Sequence, residues 1–171
     1  MVDSLIILYD HDEEAFTSNG LGALPDAASC TVTEERNGGY EVEMEYPLTG
    51  RHFSDIQKRR ILYVKPNPYD DPQPFRIYSI TKPINGIVTV HAAHLSYDTS
   101  GSIVKLFPAD AGSASAAMSY LKNFSVPSTP FTFFTNVGKT GTMSVPKPSS
   151  IRSLLGGSDG SILDTFGGEY L

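Results

Sequence analysis

The chain has 171 residues, is 40% hydrophobic and 19% charged, and carries a net charge of −6 at pH 7. That length allows one domain with a real core, or one domain plus part of a second, and the balance of residue types excludes a disordered chain. The negative charge argues against a protein that grips duplex DNA by its phosphates, and no apolar run approaches the roughly 18 residues of a membrane-spanning helix.

A single cysteine, Cys30, excludes an intramolecular disulfide framework and fits synthesis in a reducing cytoplasm. Twelve prolines and fifteen glycines point to many short strands and turns. Ser4 to Tyr9 reads as a first strand. It follows Asp3 and lacks the basic start and cleavage site of a signal peptide. Residues 10–28 read as a long polar connection with a short helix at Asp12–Phe16.

Thr31 to Pro47 is the most strongly patterned stretch. Tyr40, Val42, Met44 and Tyr46 alternate with Glu41, Glu43 and Glu45, the period-2 signature of a strand with one apolar and one polar face. Asn37-Gly38-Gly39 supplies residues that tolerate positive φ, so the stretch is a β-hairpin. Phe53 to Arg59 reads as one or two helical turns with Ser54 as N-cap. Ile61–Val64, Phe75–Ile80 and Ile87–Ala92 read as strands, the last two joined at Asn85-Gly86.

After about residue 98 the composition shifts. Ser113 to Phe124 reads as a helix, with Ala114, Ala117, Met118, Leu121 and Phe124 on one side. Phe131–Asn136 and Thr140–Val145 read as a strand pair around Gly138-Lys139. Short helices are expected from Ser149-Ser150 to Leu155 and over 158–166, the second capped by Ser158 or Asp159. The expected fold class is mainly β with a smaller α/β part (α+β). A barrel or sandwich of about six strands spans 1–100, a small helix-strand lobe spans 104–166, and 167–171 begins a further strand. A strand cut after three residues suggests the N-terminal part of a longer protein.

The residues that invite chemistry are few. Asp10-His11-Asp12 offers an acid/base or metal-binding set. On an extended chain successive side chains point opposite ways, which favours a solvated strand end over a site. His91 and His94 share a face only on a helix. On a strand they oppose each other, which disfavours a zinc site. Cys30 lacks any catalytic context and reads as a small buried hydrophobe. Gly138-Lys139-Thr140 ends like a phosphate-binding loop, but Phe133 occupies the position of the required first glycine. In Gly156–Gly160, Asp159 would oppose a bound anion, so helix caps are favoured. Asn123-Phe124-Ser125 fits a glycosylation sequon that a cytoplasmic chain would not use. Glu41, Glu43 and Glu45 stand roughly 7 Å apart along one strand face, too far for two to share one ion tightly. They remain the candidate interface or lumen face, against the plain reading of a solvated wall. Neither a catalytic residue nor a cofactor or metal site is expected.

Gly160-Ser161-Ile162-Leu163-Asp164-Thr165-Phe166-Gly167-Gly168-Glu169-Tyr170 resembles a segment of phage minor structural proteins of the prophage endopeptidase tail type. In that family a similar stretch introduces a strand after a small α/β region. Ile151–Gly156 resembles the family's preceding short helix. Phe75–Ile80 followed by Val90–Asp98 is similar to its N-terminal region. The resemblance implies a baseplate-hub-like N-terminal region of the tail-associated lysin type. It implies a trimer whose β-barrels continue the tail tube, with a distal tail protein and a tape-measure protein as neighbours. Peptidoglycan-cleaving or receptor-binding modules follow further downstream in that family, and no endopeptidase residue carries over to this chain. The expected location is the virion tail tip, after synthesis in the bacterial cytoplasm, with neither specific nucleic-acid binding nor a membrane span. Two other classes stay open at this point. A cell-wall hydrolase would need Asp10, His11, Asp12, His91 or His94 to converge in a pocket. A carbohydrate-binding β-module would use exposed Tyr and Phe, and the absence of Trp weakens it.

Overall fold

In the computed structural model, which describes residues 5–169, residues 5–95 build one seven-stranded antiparallel sheet. Its strands are β1 (Ile7–Tyr9), β2 (Gly22–Ala23), β3 (Ser29–Glu34), β4 (Tyr40–Pro47), β5 (Ile61–Val64), β6 (Gln73–Ile80) and β7 (Ile87–His94). They lie in the order β2-β1-β5-β6-β7-β4-β3, curled into a half-barrel. The strand that raises the count above six is β2. Two residues, one of them glycine, are too short to register as a period-2 pattern. Ser4, at the predicted start of the first strand, lies outside the described residues.

Alternation builds the core. On β4, Val42, Met44 and Tyr46 are buried while Glu41, Glu43 and Glu45 are exposed. Each buried side chain contributes about 1.5–3 kcal/mol through the water it leaves. Across the curled sheet they meet Leu8, Leu62, Phe75, Ile77 and Val90. The β3–β4 turn places Asn37 at φ 55°, and Glu35 N donates to Gly39 O at 2.7 Å. In the β6–β7 turn Asn85 and Gly86 both have positive φ, 51° and 78°, the geometry of a two-residue turn that matches strand twist.

The predicted helix at Asp12–Phe16 does not form. Glu13 instead uses its own carboxylate to accept from the Ala15 and Phe16 backbone N–H groups, in competition with helical bonding. Phe16 stacks on Tyr63 at 5.3 Å and meets Tyr9 edge-on, which fastens the connection to β1 and β5. Only a three-residue 3-10 turn, Phe53–Asp55, stands where the longer helix is predicted, and its N-cap is His52 in the left-handed region, not Ser54.

The chain divides into two compact units between Leu95 and Ser96. A 3-10 segment, Leu95–Gly101, begins at that division and runs into the second unit. The second unit then holds β8 (Ile103–Val104), β9 (Ala111–Ser113), α1 (Ala114–Asn123), β10 (Ser125–Val126), β11 (Thr140–Met143), β12 (Ser149–Ser150), α2 (Ile151–Leu155) and α3 (Ile162–Phe166). Two small sheets result, β10-β8-β12 and β11-β9. Serines cap all three helices. Ser113, Ser150 and Ser161 accept from the backbone N–H three residues on. The cap of α3 is therefore Ser161, not Ser158 or Asp159. Ala114, Ala117 and Leu121 are buried, as their spacing predicts, against Val104, Met143, Ile151 and Phe166.

The predicted strand pair around Gly138-Lys139 is corrected. Thr140–Met143 pairs with Ala111–Ser113. Residues 131–139 run without any ladder partner among the described residues. Gly167 to Glu169 forms no strand, and Tyr170 and Leu171 lie outside the described residues.

Candidate functional site

Glu41, Glu43 and Glu45 form a ridge on the exposed face of the sheet because β4 is flanked on both sides. In register, Glu41 faces Thr33 and Ala93, Glu43 faces Thr31 and His91, and Glu45 faces Ser29 and Thr89. Small and β-branched neighbours leave the carboxylates standing above them. Each glutamate has one cross-strand partner. Tyr78 Oη donates to Glu41 Oε2 at 3.3 Å, Ser29 Oγ donates to Glu45 Oε2 at 3.1 Å, and His91 Nδ1 lies 3.6 Å from Glu43 Oε2. Tyr78 lies on this face by alternation with buried Phe75 and Ile77, and its ring lies over His91 at 6.2 Å. The register shift between Ile77 and Ser79 then places Ser79 opposite His91 and Ile80 opposite buried Val90. An open groove of about 350 Å³ runs beside the ridge, lined by Thr33, Glu35, Gly39, Glu41, Glu43 and His91.

The ridge is spread out. It presents a row of negative charge with hydroxyl and imidazole partners, and among the described residues its carboxylates are not grouped closely enough for a metal ion. His94 points away from it, packed against Tyr40 and Phe75 at 4.8 and 5.5 Å. The two histidines therefore oppose each other across the sheet, as strand geometry requires.

Asp10, His11 and Asp12 do converge, with one ligand atom from each within 4.8 Å of the others. This corrects the expectation that neighbours on an extended chain diverge, because the segment leaves β1 in a turn. His11 donates to the Asp10 carboxylate through its backbone N–H at 2.7 Å, and its Nδ1 lies 2.9 Å away. Those hydrogen bonds, with Arg60 nearby at 3.8 Å, hold the Asp10 carboxyl below the usual carboxylate range. A third His–carboxylate pair escapes a motif scan. His52 Nδ1 lies 3.2 Å from Asp55 Oδ2, and their spacing of three is the only signal the sequence carries for it. The His52 ring lies where a Cβ on Gly22 would stand, 2.4 Å from Nε2, so it packs the 3-10 turn onto β2. Burial pushes the Cys30 thiol up to about 11, the reverse of an activated nucleophile.

The fold is thus a curled antiparallel sheet followed by a small α/β unit, with an acidic ridge on the sheet's outer face. No protein-family model matches the chain, and no curated protein matches it. A solved structure with a similar fold is the prophage tail protein gp18 from Listeria monocytogenes EGD-e, at 13% identity and a TM-score of 0.67. The match covers 95% of this chain and 46% of that one, so this chain spans about half the length of its structural neighbour. At that identity the likeness is one of fold. No described helix is long and apolar enough to cross a membrane.

Proposed function

We propose that this chain is a structural, non-catalytic part of a phage or prophage tail tip, of the baseplate-hub kind. Three copies close a ring that continues the tail tube and carries lytic or receptor-binding modules further along the polypeptide. The distal tail protein and the tape-measure protein are its neighbours. The observation that carries this reading is the shared fold with a prophage tail protein over 95% of the chain.

The glutamate ridge supports the reading chemically. A lumen that passes DNA must not hold it. A wall of carboxylates repels phosphates over about a Debye length, roughly 8 Å at physiological salt. Carboxylates spaced along one strand repeat that field around a three-fold ring. An image of the assembled tail tip in which Glu41, Glu43 and Glu45 face outward would remove the lumen assignment. Replacing all three with Lys tests the same point in solution. The variant should retain DNA at low salt and release it as salt rises, while the native chain does not bind.

Of Asp10, His11, Asp12, His91 and His94, the residues a cell-wall hydrolase would need, the first three lie together. An assay of peptidoglycan release, with and without added zinc, distinguishes that reading. The structural role predicts no release by this chain.

A further inference from the structure

Residues 131–137 are an extended segment of alternating character. Phe131, Phe133, Thr135 and Val137 are half-buried, while Thr132, Phe134 and Asn136 are exposed. Phe133 and Val137 pack on the core of the second unit, which anchors the segment, whereas Phe134 is 87% exposed. Its two ends are tied locally. Phe131 O accepts from Lys122 Nζ at 2.7 Å, and Val137 N donates to Thr135 Oγ1 at 3.1 Å. Between them, the backbone groups of 132–136 pair with no described residue. A cavity of about 240 Å³ opens beside Thr132 and Phe133.

Such an edge is the template on which another strand adds. Native proteins usually guard exposed edges with charge or proline, and this one carries neither between Phe131 and Gly138. Its sequence also complements itself. In an antiparallel pair centred on Phe134, Phe134 faces Phe134, Thr132 faces Asn136, Phe133 faces Thr135 and Phe131 faces Val137. The two exposed rings then cover each other, the polar residues meet, and the inward residues stay with their own cores. Lys139 falls opposite Thr129, so no like charges meet.

We propose that this edge is a self-association surface, on which a second copy of the chain pairs antiparallel about a two-fold axis through Phe134. It goes beyond the ring reading and does not depend on it. Each copy offers the edge once and the contact is isologous, so pairing closes at the dimer.

Sedimentation velocity over rising protein concentration, with hydrogen exchange of the 132–136 amides, tests the proposal. A monomer–dimer equilibrium is expected, with those amides gaining protection as the dimer forms. Phe134→Lys and Phe134→Glu should each fold normally, since the side chain stands in solvent. Each should weaken pairing by at least about tenfold, because like charges then face each other. An equimolar mixture of the two should recover the dimer, since Lys then faces Glu. A chain that stays monomeric at every concentration would overturn the proposal. So would self-association that Phe134→Lys and Phe134→Glu leave unchanged, or a mixture that pairs no better than its separate components.

Discussion

Glu43 and His91 face each other in register across β4 and β7, with Nδ1 3.6 Å from Oε2. The carboxylate side chain is 64% exposed and the imidazole 28%, so solvent screens the pair. An exposed pair of this kind is worth about 0–1 kcal/mol. Glu43→Gln and His91→Ala should therefore each cost under about 1 kcal/mol in urea unfolding. A loss above roughly 2 kcal/mol in either would make the ridge part of the folding machinery and not a surface free to carry function.

Gly50 sits against the buried ring of Tyr46. A Cβ there would lie 2.4 Å from Tyr46 Cε1 and 3.1 Å from Pro47 O. Tyr46 is 0% exposed and donates from Oη to Arg51 O at 2.6 Å, so its ring has nowhere to go. Gly50→Ala should cost about 1–3 kcal/mol by overpacking. Tyr46→Phe should cost about 1 kcal/mol for the lost hydrogen bond and leave the Gly50 penalty in place. Denaturant midpoints of the two variants and the double variant measure both terms.

Asp26 holds Arg51, the residue before the His52 cap of the 3-10 turn Phe53–Asp55. Its carboxylate accepts from Arg51 N at 2.8 Å and lies 3.4 Å from Nε. The backbone hydrogen bond, then the guanidinium, lowers its pKa below the ordinary aspartate value. A depressed carboxylate stabilises the fold above its unfolded pKa, ~3.9, and that contribution is lost as pH falls through the folded value. Asp26→Asn should lower the melting temperature at pH 7 and make progressively less difference below about pH 4. A gap between the two melting curves that stays constant down to pH 2.5 would contradict this linkage.

Cys30 pairs with Met44 in the β3–β4 register and is half-buried, with its thiol pushed up to about 11. At pH 8 about a thousandth of it is ionised, against roughly a quarter of a free thiol. Alkylation by iodoacetamide in the folded protein should be at least about 100-fold slower than in urea. Rapid labelling of the native chain would mean that β3 opens at the sheet edge.

The sequence carries most of the first unit on its face. Strand β4 is legible because each buried residue sits two positions from the next, and a half-buried sheet imposes that period and no other. The turns at Asn37 and Asn85 are legible because few residue types tolerate positive φ. Helix α1 is legible from Ala114, Ala117 and Leu121, and its cap from Ser113. The glutamate ridge follows from the same alternation. Tyr78 and His91 as its partners do not, because which strands lie beside β4 is decided by pairing between distant parts of the chain.

Local pattern determines which face of each strand is buried, since side-chain direction depends only on the residue and its neighbours in the chain. Tertiary structure alone decides which strands meet. Short pieces such as β2, β8 and β12 have too few residues to carry a period and exist only because a segment from another part of the chain supplies their hydrogen bonds. The same reason explains 131–137, whose composition is that of a strand while no described strand pairs with it. Convergence of Asp10, His11 and Asp12 likewise depends on a turn, not on residue type. Strand pairing is a contact between distant parts of the chain, and its free energy appears only once both edges are in place.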